Sequence, residues 1–309
     1  MNVARHQLVQ ERITEAAEGV SGRVLDHWYT LRYGRLAIGT VREMGEVLLD
    51  HLGALSLEEG ALGGARAGAA LDTAAECFHG VLSLGCFPRG DFEVPFPLID
   101  ETLSSEELRF DTIDFAPTAA TWVDAFALVV ISGQIGERRR MLGPLLKDDY
   151  APSVRKGLPW SDIHSTSEPA ELAEMDALCD YLDVVETAVS PWVAPGPLPL
   201  RKPDAAERGA AAAALDAAGA LTPDQRLLRV LLDDDQPAFE RALVARLDLH
   251  RETTPETAPA RSLLPVGPIT LAALAVQAHG WQLGVSSGYL PAALIRPQEA
   301  QAAQEPRQA

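Results

Sequence analysis

The sequence has few of the features that mark secreted, disulfide-bonded or zinc-binding proteins. It contains three cysteines in 309 residues, and no two of them form a CxxC pair. An odd number of scattered cysteines favours free thiols in a reducing compartment. No apolar run follows the first basic residues, so the sequence predicts no signal peptide. We therefore expect a cytoplasmic protein.

Basic residues are scarce relative to acidic ones. Lys and Arg together number 26 against 44 Asp and Glu, which gives a net charge of −18. This charge repels phosphate backbones and anionic lipid headgroups, and it attracts basic partners. The composition therefore predicts a soluble protein that binds neither nucleic acid nor a membrane surface.

One long segment lacks charged side chains altogether. Residues 262–295 contain no Asp, Glu, Lys or Arg, but prolines, glycines and glutamines interrupt the segment. The continuous apolar runs are too short to span a bilayer. We therefore predict a helix buried in the protein core.

Enzyme motifs are also missing. The seven histidines include no pair at metal-ligand spacing. His250 and His279 are expected at helix C-termini, where an imidazolium can interact with the last carbonyls. Residues 284–288 match G-x-S-x-G, but a helix is predicted before them and no histidine follows, so we expect a turn between two helices. The glycines at 60, 63, 64 and 68 do not form a dinucleotide fingerprint and are expected to allow close helix packing. The sequence predicts no enzyme, no metal and no cofactor.

Helical periodicity dominates the chain. Trp122, Phe126 and Val129 recur at spacings of three and four, which predicts an amphipathic helix over 118–131. A second helix over 138–146 is expected to end by Pro152 at the latest. Residues 92–98 alternate in polarity but contain two prolines, so we predict a short extended insertion at an edge.

Two further helical hairpins are predicted in the C-terminal third. Thr222 is a plausible N-cap before a helix that contains four leucines, and 233–237 form the turn. Phe239, Leu243 and Leu247 then mark the second helix. A weaker unit runs from Ile269 to 295. The expected fold is all-α, either an irregular helical bundle or an α-solenoid of helical hairpins.

Proline and polar residues indicate the domain organisation. We predict an N-terminal helical region over 1–189, a proline-rich linker or loop over 190–203, C-terminal helical hairpins over 204–296 and a disordered tail over 297–309.

The segment 168–186 carries seven acidic residues and no basic one. Its apolar stripe predicts a packed helix, and the acidic side chains then form either a solvated face or a docking surface for a basic partner. The candidates for partner binding in this segment are Glu174, Asp176, Asp180 and Asp183.

Three more candidates are Asp233, Asp234 and Asp235, at the tip of a predicted hairpin. Three successive side chains cannot all pair with one helix face, so part of this charge is expected to remain unpaired. The alternatives are a solubilising turn in which Asp235 caps the next helix, and a tip that steers a basic partner into contact.

Several blocks of the chain resemble the immunity 49 family of bacterial polymorphic toxin systems. The first block contains Ala4, Arg5 and His6 together with Arg12 and Ile13. The second block runs from Pro117 through Trp122 to Ile131. The third and fourth blocks run over 227–250 and over 266–294.

The resemblance implies a cytoplasmic protein that binds and neutralises a cognate toxin domain without chemistry of its own. The acidic charge would suit a basic toxin. The same helices and charge would equally serve an acidic helical-repeat scaffold or regulatory protein that docks host proteins.

Overall fold

The computed structural model describes residues 1–34, 37–88, 90–105, 116–133, 139–157, 166–182 and 200–297. Four helices form the N-terminal part: α1 (Gln10–Ala17), α2 (Val20–Tyr33), α3 (Ile38–Glu58) and α4 (Ala65–Cys86). The central part contains α5 (Ala119–Ser132), α6 (Arg139–Pro144), α7 (Ala151–Lys156) and α8 (Pro169–Cys179).

The C-terminal helices are α9 (Ala205–Ala217), α10 (Pro223–Leu232), α11 (Gln236–Thr253), α12 (Val266–Gln277) and α13 (Ala292–Ile295). The strands are short: β1 (Asn2–Val3), β2 (Glu93–Phe96), β3 (Glu101–Ser104) and β4 (Ser286–Ser287). The all-α prediction is therefore confirmed.

Helix α5 lies at the centre of the bundle. It packs against α4, against α8 and against α12, which is far away in sequence. A solenoid would place sequence neighbours side by side, so this arrangement is a bundle. The prediction of an amphipathic α5 was wrong, because residues on all sides of this helix are buried. A helix that is apolar all round is typical of a protein interior.

Trp122 connects α5 to the segment that follows α6. Its side chain is fully buried and stacks on Phe126 with ring centroids 5.2 Å apart. The indole Nε1 donates to the Leu146 carbonyl over 2.8 Å. Leu146 lies in a π-helical turn, Leu145–Tyr150, which leads directly into α7. Helix α6 ends at Pro144, before Pro152 as predicted. Helical structure nevertheless continues past Pro152, because proline is tolerated in the first turn of a helix and Pro152 occupies that position in α7.

The predicted hairpin of α10 and α11 is confirmed. Thr222 accepts a hydrogen bond from the Gln225 backbone N–H, and the Gln225 side chain accepts from the Thr222 N–H over 2.9 Å. This reciprocal capping box defines the start of α10. The four leucines of α10 and the side chains of Phe239, Leu243 and Leu247 are buried.

The extended insertion is a two-stranded antiparallel hairpin, in which Val94 pairs with Leu103 and Pro95 with Thr102. Val94 and Phe96 are buried and β2 packs on α4. Both strands are edges, which is the environment predicted from the prolines.

Of the four glycines predicted to allow close packing, Gly60, Gly63 and Gly68 do not do so, and Gly64 approaches only the side chain of Glu59. A Cβ atom on Gly60, Gly63 or Gly68 would meet nothing within 4 Å. Close approach occurs instead at Gly53 of α3, where a Cβ atom would collide with the backbone of Ala260. Ala260 belongs to a 3₁₀ turn, Ala260–Leu263, that packs on α3.

The G-x-S-x-G segment forms β4, not a simple turn between helices. Asn2 pairs with Ser286 and Val3 with Ser287 in a parallel ladder, and Ser287 Oγ donates to the Val3 carbonyl over 2.8 Å. The N-terminal segment is also held by His6, whose backbone N–H donates to the Tyr289 hydroxyl over 2.8 Å.

One hydrophobic cluster contains residues from both predicted helical regions, among them Trp122, Leu178, Leu228 and Phe239. Residues 190–199 and 298–309, which include most of the predicted linker and tail, lie outside the described residues, and the domain division stays a prediction. Among the described residues, Ala260–Gln277 is long and apolar enough to cross a membrane by length and composition alone, and 67% of it is buried inside the protein. This burial supports the predicted core helix.

Candidate partner-binding surface

The acidic side chains in α8 and directly after it have different environments. Asp176 is exposed and forms an ion pair with Arg155. Asp180 is half-buried, and burial followed by the nearby Glu207 raises the pKa of its carboxyl. Asp183 lies outside the described residues. Binding of a partner by this segment stays a prediction, and the structure shows an arginine partner for its exposed Asp176.

Glu174 faces the protein rather than the solvent. Its Oε2 accepts a hydrogen bond from the Gln225 side chain of α10 over 3.0 Å. Burial, reinforced by the negative charges of Asp224, Asp124 and Glu171, raises the pKa of Glu174 to about 7 despite the Gln225 hydrogen bond. Glu174 therefore joins α8 to α10 and carries only part of a charge at neutral pH.

Glu174→Gln is expected to stabilise the protein at alkaline pH. The Glu174 pKa is raised above the ordinary value of 4.5, so the stability that this group contributes is present below pH 4.5 and is lost as pH rises through about 7. A neutral glutamine avoids that loss. We expect the variant to exceed the wild type by about 1 to 3 kcal/mol at pH 8, with no difference near pH 4.5, in urea unfolding. Asp176→Asn, on the exposed side of α8, is the control, and an equal gain there would contradict this account.

The acidic tip between α10 and α11 is held by basic side chains. Asp233 forms an ion pair with Arg229, one turn earlier in α10. Asp234 lies 2.6 Å from Lys202 Nζ and 3.2 Å from Arg208 Nη2. Two of the three acids in the tip are therefore paired with cations of the same chain.

Asp234 also has an unusual backbone conformation. Its φ is +60°, in the left-handed region that aspartate tolerates better than most residues. His279 Nδ1 lies 2.9 Å from Asp234 Oδ1, and His279 Nε2 lies 2.9 Å from the Tyr181 hydroxyl. Asp234 thus joins the tip to α12 and to the end of α8, which is a structural role.

Asp235 caps the N-terminus of α11, which is one of the two alternatives predicted from the sequence. Its carboxylate accepts a hydrogen bond from the Ala238 N–H over 3.0 Å. Asp235 is exposed, and no described residue forms an ion pair with it. Among the three acids of the tip, Asp235 alone presents a carboxylate to solvent without a cationic partner from the described part of the chain.

The two histidines expected at helix ends have other roles. His279 is buried between Asp234 and Tyr181, and His250 Nε2 lies 2.7 Å from the Ser262 carbonyl of the 3₁₀ turn. Burial lowers the pKa of both histidines. A neutral imidazole is therefore favoured at both positions, and interaction of an imidazolium with the last carbonyls of its own helix was the wrong prediction.

An aromatic cluster at the end of α2 was missed by the sequence analysis. Tyr29 is 47% exposed and Tyr33 is 74% exposed, and their rings stack with centroids 6.0 Å apart. Trp28 is buried beside them, with its centroid 5.2 Å from that of Tyr29. The Arg32 guanidinium lies over the Trp28 ring at 5.5 Å. The spacing of four between the two tyrosines and between Trp28 and Arg32 is the signal that could have revealed the cluster.

Comparison with known families decides the assignment. The family model described as Immunity protein 49 matches residues 64–294. The chain belongs to the immunity protein 49 family. The matched region contains the second, third and fourth blocks of resemblance. It begins after α3, so α1, α2 and α3 lie outside it. No curated protein and no solved structure matches the chain.

Proposed function

We propose that this protein neutralises a cognate toxin of a bacterial polymorphic toxin system by binding the toxin domain and blocking it. Membership of the immunity protein 49 family is the observation that carries this proposal. The net charge of −18 supports a basic toxin, because opposite charge speeds association. Inhibition occurs by protein–protein contact and without catalysis by the immunity protein.

The proposed site of action is the cytoplasm. Cys77, Cys86 and Cys179 are free and buried, which supports a reducing compartment. Burial raises the pKa of Cys86 and of Cys179 to about 12, so these thiols stay protonated at neutral pH and are poor nucleophiles.

We expect an adjacent reading frame to encode the toxin, and the test uses the C-terminal domain of that protein. Coexpression with the immunity protein should restore growth of cells that produce this toxin domain. In vitro, residual toxin activity should fall linearly and reach zero at about one equivalent of the purified immunity protein.

Two results would overturn the proposal in different ways. Failure to restore growth, together with failure to bind the toxin domain, would remove the toxin as partner. Complete inactivation by a small fraction of an equivalent would show turnover, and the protein would then be an enzyme that modifies the toxin.

A further inference from the structure

We propose that the exposed face of α2 made by Asp26, Tyr29 and Tyr33 receives basic side chains of the toxin. This inference rests on the proposed function and identifies the surface that performs it. We call these three residues the α2 face.

The α2 face is continuous along one side of the helix. Its members follow one another at spacings of three and four, which places them within about one third of the helix circumference. All three are exposed. A carboxylate therefore stands about one turn from an aromatic ring, and a second ring follows one turn later.

This combination suits arginine and lysine. An aromatic face attracts a cation held within about 6 Å of its centroid, and a carboxylate accepts hydrogen bonds from the same cation. The cluster already shows this chemistry, since Arg32 lies over the Trp28 ring at 5.5 Å. Arg32 projects from the neighbouring side of α2, so the exposed tyrosine rings remain available to a partner.

The α2 face is also a rigid platform. Val24, Trp28 and Leu31 are buried on the opposite side of the helix, which packs on α3. The stacked tyrosine rings support each other and Trp28 supports Tyr29. Tyrosine has few rotatable bonds and loses little conformational entropy on binding, which explains why it is enriched at the energetic centres of interfaces.

Charge favours a basic partner over a second copy of this chain. Each copy has a net charge of −18, so self-association would bring two strongly negative proteins together. Asp26 has no ion-pair partner among the described residues, whereas Asp233 and Asp234 are paired within the chain. The α2 face thus has an exposed carboxylate without a cationic partner among the described residues. In the acidic tip, only Asp235 has such a carboxylate.

The test measures the affinity of the full-length protein for the toxin domain by titration calorimetry. Tyr29→Ala combined with Tyr33→Ala is expected to weaken binding roughly 100-fold, as expected for loss of two aromatic anchors. Asp26→Lys should weaken binding about tenfold, mainly through slower association at low salt. Both variants should remain folded in thermal unfolding, because Val24, Trp28 and Leu31 still hold the buried side of α2 on α3.

Two control variants match these changes elsewhere on the protein. Leu249→Ala removes another exposed large apolar side chain, and Glu58→Lys reverses another exposed acid. Both should bind like the wild type.

The outcomes separate this inference from the proposed function. If the wild type binds the toxin domain and the double tyrosine variant binds equally well, the α2 face is excluded and the proposed function stands. If the wild type does not bind, the proposed function fails and this inference fails with it. If the wild type forms a dimer that the double variant lacks, with unchanged toxin binding, the occupant is a second copy and the inference is overturned.

Discussion

Trp122→Ala is expected to lower the free energy of unfolding by about 3 to 5 kcal/mol, which would leave a typical domain close to unfolding. The substitution leaves a cavity at the centre of α5, removes the stacking partner of Phe126 and removes one of the two donors to the Leu146 carbonyl, which also accepts from the Ala151 N–H. Urea unfolding followed by far-UV circular dichroism measures this loss.

Trp122→Phe separates packing from hydrogen bonding at this position. Phenylalanine keeps an aromatic ring beside Phe126 but has no N–H to donate to Leu146. We expect a loss of about 0.5 to 1.5 kcal/mol, the net contribution of one hydrogen bond, because the Ala151 N–H still donates to the Leu146 carbonyl. Wild-type stability in the alanine variant, combined with lost toxin binding, would show that Trp122 is an exposed anchor.

Gly53→Ala is expected to destabilise the protein by about 1 to 3 kcal/mol, although alanine is the better helix former. The added Cβ would collide with the carbonyl group of Ala260, which is backbone and cannot rotate away. Two hydrogen bonds from Arg261 to Asp50 hold the same 3₁₀ turn on α3. A lower midpoint in thermal unfolding is the expected readout.

The same substitution at Gly68 of α4 is the matched control. Nothing lies within 4 Å of a Cβ at Gly68, so only the helix propensity changes. We expect Gly68→Ala to stabilise the protein by about 0.5 to 1 kcal/mol. Equal effects at the two positions would mean that the approach of Ala260 to Gly53 contributes nothing.

The parts of the fold that depend on local interactions could be predicted from the sequence. The start of α10 follows from Thr222 and Gln225, which cap one another within four residues. The burial of Phe239 and Leu243 follows from their helical spacing. Pro152 did not indicate α7, because proline is compatible with both the end of one helix and the first turn of the next.

Features that depend on distant segments could not be predicted in this way. The pairing of Val3 with Ser287 has no local signal, since two residues of strand carry no periodicity. Periodicity also could not distinguish Gly53, which closely approaches the backbone of Ala260, from glycines such as Gly68 that have no close neighbour. Both cases require knowledge of which segments are neighbours in space.

The candidate surfaces show the same limit. The acidic tip was identified as a charge cluster, but the partners of Asp234 are Lys202, Arg208 and His279, and the last of these is 45 residues away in the chain. The exposure of Tyr29 and Tyr33 depends on which side of α2 packs on α3. Composition indicated a basic partner but could not indicate where it binds.

The parallel pairing of β1 with β4 has a consequence for synthesis on the ribosome. Asn2 leaves the exit tunnel well before its partner Ser286, which is 284 residues behind it. At 5 to 20 residues per second, the first strand waits roughly 15 to 60 s for β4 to be made. During that interval His6 also lacks the Tyr289 hydroxyl. Residues 2–6 are therefore translated long before the segment on which they dock, and their protection from proteases should be complete only after residues 286–289 have left the tunnel.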